Sequence, residues 1–418
     1  MSPPPSDLVT THHPGPKPAG ASALEGTALS ATIVDAAHQL GFARAGVASI
    51  GHFEPQKRRL QLFLDQGYAG DMGYLALPQS NGVLQRGEIA AVFPETRSII
   101  SVALPYQALV PLRLGTSSPS ESLAYVSMPY VAAYARGDDY HHVVRALLET
   151  LADRVAQLCG FPVRARACVD SAPLFERDIA VQAGFAFLGK NTLAIAPGLG
   201  SRFVLGELLV DAELQPTQET TKEGCGSCSA CLDVCPTGAF LGPHRMDATK
   251  CISYLTIESK GPIPKELRAQ IGNHVFGCDL CQAVCPYNHG RHPAPHHPSL
   301  ESERFLDLNP VELLHITSGN FKRLVRGTAL RRISRAQFCR NIAVVLGNLG
   351  LAHSVDSLRR AVRAHPYPVV QQHAAWALTR LAQHFGRVEA QAAIHELSVD
   401  DPILADLFIR EADEPRRA

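Results

Sequence analysis

The apolar positions of the chain change period several times, and each change marks a boundary. From Ala28 to Leu40 the residues Leu29, Ile33, Val34, Ala37 and Leu40 recur at helical spacing, and Gly41 ends the run. Tyr140 to Leu158 is a longer amphipathic helix closed by Gly160. Between and beyond these helices lie apolar runs of strand length. They are Ala45–Ala48, Arg97–Leu104 before Pro105, Arg164–Val169, and Phe203–Val210. The alternation predicts a mixed α/β domain over residues 28–215. Residues 1–27 are rich in Pro, Ser, Gly, His and Thr and carry no period, so a disordered tail is expected there.

From about residue 298 the pattern is helical, and it repeats. The segment Ala343–Gly350 matches Ala375–Ala382, with the turn Ala364-His365-Pro366-Tyr367-Pro368 between them. Stacked helix pairs of this period resemble HEAT-type repeats, so residues 298–418 are expected to be a helical repeat domain. His289 to Pro298 reads as a Pro/His linker. The overall expectation is a multidomain α+β chain. A cysteine-rich module, 216–297, separates the α/β domain from the helices.

Eight of the 11 cysteines lie in that module. The first run is Cys225-x2-Cys228-x2-Cys231-x3-Cys235-Pro236. The second is Cys251, then Cys278-x2-Cys281-x3-Cys285-Pro286. Two four-cysteine sets, each ending Cys-Pro, suit two [4Fe–4S] clusters in which the last cysteine of each run ligates the other cluster. One cluster then takes Cys225, Cys228, Cys231 and Cys285. The other takes Cys235, Cys251, Cys278 and Cys281. Zinc ribbons favour paired Cys-x2-Cys knuckles and do not need a third cysteine at the same spacing. A disulfide framework suits a short secreted domain. The insert Ile252–Gly277 must leave the module and return to it. Cys159, Cys168 and Cys339 are left over and read as buried thiols.

Charge changes the picture only locally. The formal net charge is zero, so no global field argues for nucleic acid or membrane. Yet Lys322 to Arg363 holds ten Lys and Arg residues against one acid, Asp356. Such a stretch suits a phosphate backbone, unless acids elsewhere in the fold pair with it. No apolar run reaches membrane-span length, and the N-terminus reads as neither a secretory nor a twin-arginine signal. The expected location is the cytoplasm, which also suits thiolate ligands.

Outside the clusters, Gly184-x4-Gly189-Lys190-Asn191 nearly spells a phosphate loop. Asn191 stands where a magnesium-binding Ser or Thr is needed, so that reading fails. Asp170 ends a strand and precedes a helix, a position suited to a catalytic acid, where burial would raise its pKa and keep a proton available. A helix cap or turn is the plainer role. Arg86, Arg136, Asp138, Asp139, Tyr140 and His141 are polar candidates of the same standing.

Taken together, the segments resemble the epoxyqueuosine reductase family over roughly residues 28–385. Gly70-Asp71-Met72-Gly73-Tyr74-Leu75, Tyr134 to His141, Val169 to Arg177, Gly189-Lys190-Asn191-Thr192, Cys251 to Thr256 and Gly277 to Gln282 carry the resemblance. It implies an α/β cobalamin-binding reductase domain, a two-cluster ferredoxin-like module and a HEAT-like domain. It also implies reduction of epoxyqueuosine at the tRNA wobble position to queuosine. Electrons would pass from an external flavodoxin- or ferredoxin-type donor through the clusters to cobalamin, resting as cob(II)alamin.

By the same resemblance Asp170 is the proton donor. Arg86, Asp170, Ala194, Ile195, Ala196 and Ser253 fall on cobalamin contacts, and Lys260, Arg331 and Arg332 on tRNA. Ala132 stands where some members have a cysteine near the corrinoid. A monomer with no membrane association is expected. The alternatives are a corrinoid reductive dehalogenase acting on a small molecule and a non-enzymatic ferredoxin-type electron carrier.

Overall fold

Strand Ser98–Pro105 is buried along its whole length, because helices cover both faces of the sheet it belongs to. A computed structural model of the chain describes residues 9–13, 26–51, 53–78, 82, 84–106, 129–218, 221, 224–289, 296–306 and 308–412. The main sheet has five strands. Their spatial order is Thr10–His12, Val163–Cys168, Phe203–Val210, Ser98–Pro105 and Arg44–Ser49.

On one face the helices Gly26–Gln39 and Tyr140–Cys159 bury Ile33, Val144, Leu148, Leu151 and Val155 against the sheet. On the other, Glu176–Gln182 packs with Phe53, Phe93, Ile99 and Leu209. Asp139 caps the long helix by accepting from His141 N–H, and Gly160 closes it in the left-handed region at φ 75°.

Every expected strand is present to within a residue or two at its ends. Two features differ from expectation. All four neighbouring pairs in the sheet are antiparallel, so the domain is not built from parallel βαβ units. Strands buried on both faces read as unbroken apolar runs in either arrangement, and periodicity cannot separate the two. Secondly, Thr10–His12, inside the stretch expected to be a tail, pairs with Val163–Ala165 and His12 Nδ1 reaches Asp153 Oδ1 at 2.7 Å. The rest of that stretch before Gly26, apart from Val9 and His13, and most of the linker lie outside the described residues.

In the cysteine module each run contains one short helix, Ala230–Asp233 bearing Cys231 and Leu280–Ala283 bearing Cys281. The C-terminal part stacks Arg335–Leu349, Val355–Ala364, Pro368–Gln383, Val388–Asp400 and Pro402–Glu411. The repeated motifs lie on packed helices. A Cβ added at Gly347 would sit 2.9 Å from Ala377 Cα, so only glycine permits this approach. Among the described residues no helix is long and apolar enough to cross a membrane.

The insert after Cys251 docks on the first of the long C-terminal helices. Gln337 Nε2 donates to the Ile257 and Ser259 carbonyls, and Asn341 Nδ2 to those of Thr256 and Val275. Arg340, fully buried, donates to the carbonyls of Leu255, Ser259 and Gly261. Arg340→Ala removes these donors and leaves the Leu255 carbonyl without its side-chain partner, Ser259 keeping only Gln337. It should destabilise the chain by roughly 3 kcal/mol or more, read as a lower urea midpoint.

Candidate active site and cluster sites

Asp170 follows the end of strand Val163–Cys168 and sits in the left-handed backbone region at φ 57°. Its N–H donates to Glu176 Oε1 at 2.7 Å. Its side chain is 48% exposed. Tyr140 Oη donates to Asp170 Oδ2 at 2.6 Å, and His141 Nε2 lies 3.5 Å from the same oxygen. The other imidazole nitrogen, Nδ1, bonds Asp139 Oδ1 at 2.7 Å. The start of the helix Tyr140–Cys159 therefore delivers three of the ambiguous polar residues, Asp139, Tyr140 and His141, to the predicted acid.

The protonation state differs from the expectation of a raised acid. The surrounding protein mass does push the Asp170 carboxyl up. Hydrogen bonds from His141 and Tyr140, with the charges of His141 and Arg332, outweigh it and hold the carboxyl well below its usual range. For His141, burial works against the charged form. The bonds and charges of Asp139 and Asp170 prevail and lift it to about 9. At neutral pH the site is therefore a carboxylate beside an imidazolium.

Residues from distant segments, Arg332 and Tyr74, are electrostatic neighbours of Asp170. Arg332 pairs with Glu258 at 2.8 Å and lies 5.8 Å from the Tyr74 ring centroid. Lys260 is exposed beside it, its N–H bonded to Asp71 Oδ2. A Cβ at Gly70 would meet Tyr254 Oη at 2.1 Å, which explains the glycine in that loop. The basic stretch is smaller than its sequence suggests. Arg340 is buried, while Arg359 and Arg363 pair with Glu396 and Asp400. Lys322, Arg326, Arg331 and Arg360 remain on the surface.

Arg86 donates to the Leu174 carbonyl beside the Asp170 loop, and its buried Nε has no partner among the described residues. A donor of that kind fits a bound polar cofactor. Ala194 and Ile195 pair with Leu188 and Phe187 in a short hairpin, and Ala196 N–H is taken by the Gly200 carbonyl. Ser253 contacts the Cys251 thiol. Ala132 is fully buried and packs where a Gly277 side chain would go.

Cys225, Cys228, Cys231 and Cys285 ring one small cavity with Asn191, Ile195, Pro286 and Tyr287. Cys251, Cys235, Cys278 and Cys281 are electrostatic neighbours of one another, and Cys281 also feels Cys231 of the other set. Among the described residues no three His, Cys, Asp or Glu side chains converge on a single ion position. Thiols spread around a cavity suit a cluster better than a lone zinc ion. Asn191 lines the cavity with a buried Nδ2 that has no partner among the described residues, a donor suited to cluster sulfur. Lys190, from the rejected phosphate loop, instead clamps the thiol loop through the Gly226 and Cys228 carbonyls.

The His141 bridge carries a pH dependence of known sign. Its pKa is raised on folding, so its contribution is complete below the ordinary value of 6.5 and disappears as pH rises through about 9. NMR titration of labelled histidine should give a midpoint near 9 for the resonance lost in His141→Gln.

Comparison with known proteins places these sites in context. A family model described as "4Fe-4S double cluster binding domain" matches residues 224–288, and one described as "Epoxyqueuosine reductase QueG, DUF1730" matches 86–171. The epoxyqueuosine reductase of Pseudomonas aeruginosa is 41% identical over 352 residues, covering 84% of this chain and 94% of its own. A solved epoxyqueuosine reductase bound to an epoxyqueuosine-modified tRNA-Tyr stem loop superposes with a TM-score of 0.76 at 28% identity, covering 92% of this chain and 97% of that one. The Bacillus subtilis enzyme, solved with its catalytic loop swung out of the active site, superposes with a TM-score of 0.76 at 27% identity, covering 92% and 99%. With this identity and coverage, the chain belongs to the epoxyqueuosine reductase family.

Proposed function

We propose that this chain reduces epoxyqueuosine at the wobble position of tRNA to queuosine. The observation that carries the reading is the Asp170 carboxylate, about half exposed and joined to a protonated His141. Two electrons and two protons convert the epoxide to the cyclopentene and one water. Opening the ring without a proton would leave an alkoxide, a poor product near neutral pH. His141 holds a proton 3.5 Å from Asp170 Oδ2. Asp170 takes that proton and passes it to the epoxide oxygen, while Tyr140 fixes the carboxylate by its hydrogen bond.

Cobalamin, when bound, supplies the two electrons to the C–O bond. Arg86, Asp170, Ser253 and the Ala194–Ala196 hairpin would hold it. Cys225, Cys228, Cys231 and Cys285 ligate one [4Fe–4S] cluster; Cys235, Cys251, Cys278 and Cys281 ligate the other. Electrons enter from an external flavodoxin- or ferredoxin-type donor. Lys260, Arg331 and Arg332 meet the tRNA, and the stacked C-terminal helices act as a HEAT-like tRNA platform. The enzyme works as a monomer in the cytoplasm.

Asp170→Asn should retain the cobalamin absorption spectrum and lose turnover by about a hundredfold or more, measured by nucleoside analysis of tRNA from cells that accumulate epoxyqueuosine. Wild-type turnover in that variant would remove Asp170 as donor. For the clusters, Cys231→Ala and Cys285→Ala should abolish the same EPR signal, and Cys278→Ala the other. Separate signals for Cys231 and Cys285 would overturn the crossed ligand assignment.

A further inference from the structure

Glu207 is the one acid in the apolar strand Phe203–Val210, and it is fully buried. Its register partner on one side is Cys168 and on the other Ser101. Ser101 Oγ makes only a long 3.5 Å contact to Oε1, and Oε2 has no partner among the described residues. A bare carboxylate in this position would be costly. The neighbour within hydrogen-bonding reach is another acid, Glu176. Glu176 in turn accepts from Asp170 N–H at 2.7 Å. Two carboxyl groups in such contact cannot both be ionised, and one proton shared between them satisfies the orphaned oxygen.

The charged and titratable neighbours do not change this. Asp170 adds negative charge to both acids, and Tyr140 and Cys168 are neutral there, their own ionisation opposed by burial. Arg86 and Arg177 favour an ionised Glu176, but burial and the Asp170 charge prevail and lift it to about 8. Burial, then the charge of Glu176, pushes Glu207 far above the ordinary carboxylate range.

We propose that Glu207 is a positioning residue for the reaction: its protonated carboxyl donates to Glu176, which through the Asp170 N–H holds the catalytic loop in place. The proposal rests on the proton-donor reading of Asp170. Its mechanical logic is that Asp170 has a left-handed backbone, which a non-glycine residue keeps only when its surroundings fix it. The Glu176 bond is such a restraint. It is formed only if Glu176 is itself anchored, and Glu207 is the anchor beneath it. Glu207 is fully buried, so its effect on turnover would pass entirely through the loop.

Infrared spectroscopy of the holoenzyme, with and without 13C-labelled glutamate, tests the shared proton directly. At pH 7 a protonated glutamate C=O band should be present, and the part of it that belongs to Glu207 should be lost in Glu207→Gln. Turnover tests the positioning. Glu207→Ala should lower kcat about tenfold to a hundredfold, with KM for the tRNA, iron content and cobalamin binding unchanged. Glu207→Gln, which keeps a neutral donor, should recover kcat to within about threefold of wild type. Absence of the band, wild-type kcat in Glu207→Ala, or equal losses in the two variants would overturn the proposal. If the wild-type enzyme reduces no epoxyqueuosine, the functional reading fails, while the infrared result still decides whether the two glutamates share a proton.

Discussion

Arg340 is a buried cation that donates to three backbone carbonyl oxygens and to Asn341 Oδ1. Burial lowers its pKa to about 10, still far above neutrality, so it stays charged and must find acceptors. It finds them in the insert between Cys251 and Cys278. That choice organises the molecule. The same insert bears Ser253 and Tyr254, and Tyr254 Oη accepts from Asp71 N–H in the catalytic domain. One helix of the C-terminal region thereby fixes the segment that follows Cys251 and, through Tyr254, the loop at Asp71. Arg332, just before that helix, is an electrostatic neighbour of Asp170.

Electrostatics around Asp170 follow from which groups are brought together. Asp170 is flanked by a cationic imidazole, a tyrosine hydroxyl and the Arg332 charge, and it stays ionised. Glu176 and Glu207 are pushed the other way, chiefly by burial and by neighbouring negative charge. Acids of the same intrinsic strength thus divide into one anion and a proton-holding pair. Burial by itself would have raised all three; the difference lies in hydrogen-bond donors.

The two cysteine runs were legible in sequence from their spacing, and the cavity lined by Cys225, Cys228, Cys231 and Cys285 brings together one of the sets expected from it. The strands were legible from their apolar runs. Their antiparallel arrangement was not, since full burial on both faces erases the alternation that would mark it. The neighbourhood of Asp170 was legible only in part. Asp139, Tyr140 and His141 stood out as polar residues at a helix start, but nothing local brings them to a strand that begins at Val163. Arg332 is still more remote in sequence. Glu207 did leave a trace, as a lone acid in an apolar strand. The basic stretch was overread, because its neutralising partners Glu396 and Asp400 lie on a later helix.

The short strand Thr10–His12 bears on more than local order. Without it, Val163–Cys168 would be the outermost strand, presenting unpaired N–H and C=O groups along its length. Exposed strand edges recruit other chains. The N-terminal segment covers Val163–Ala165 and so shortens the edge open to such association, at the end of the strand away from Asp170.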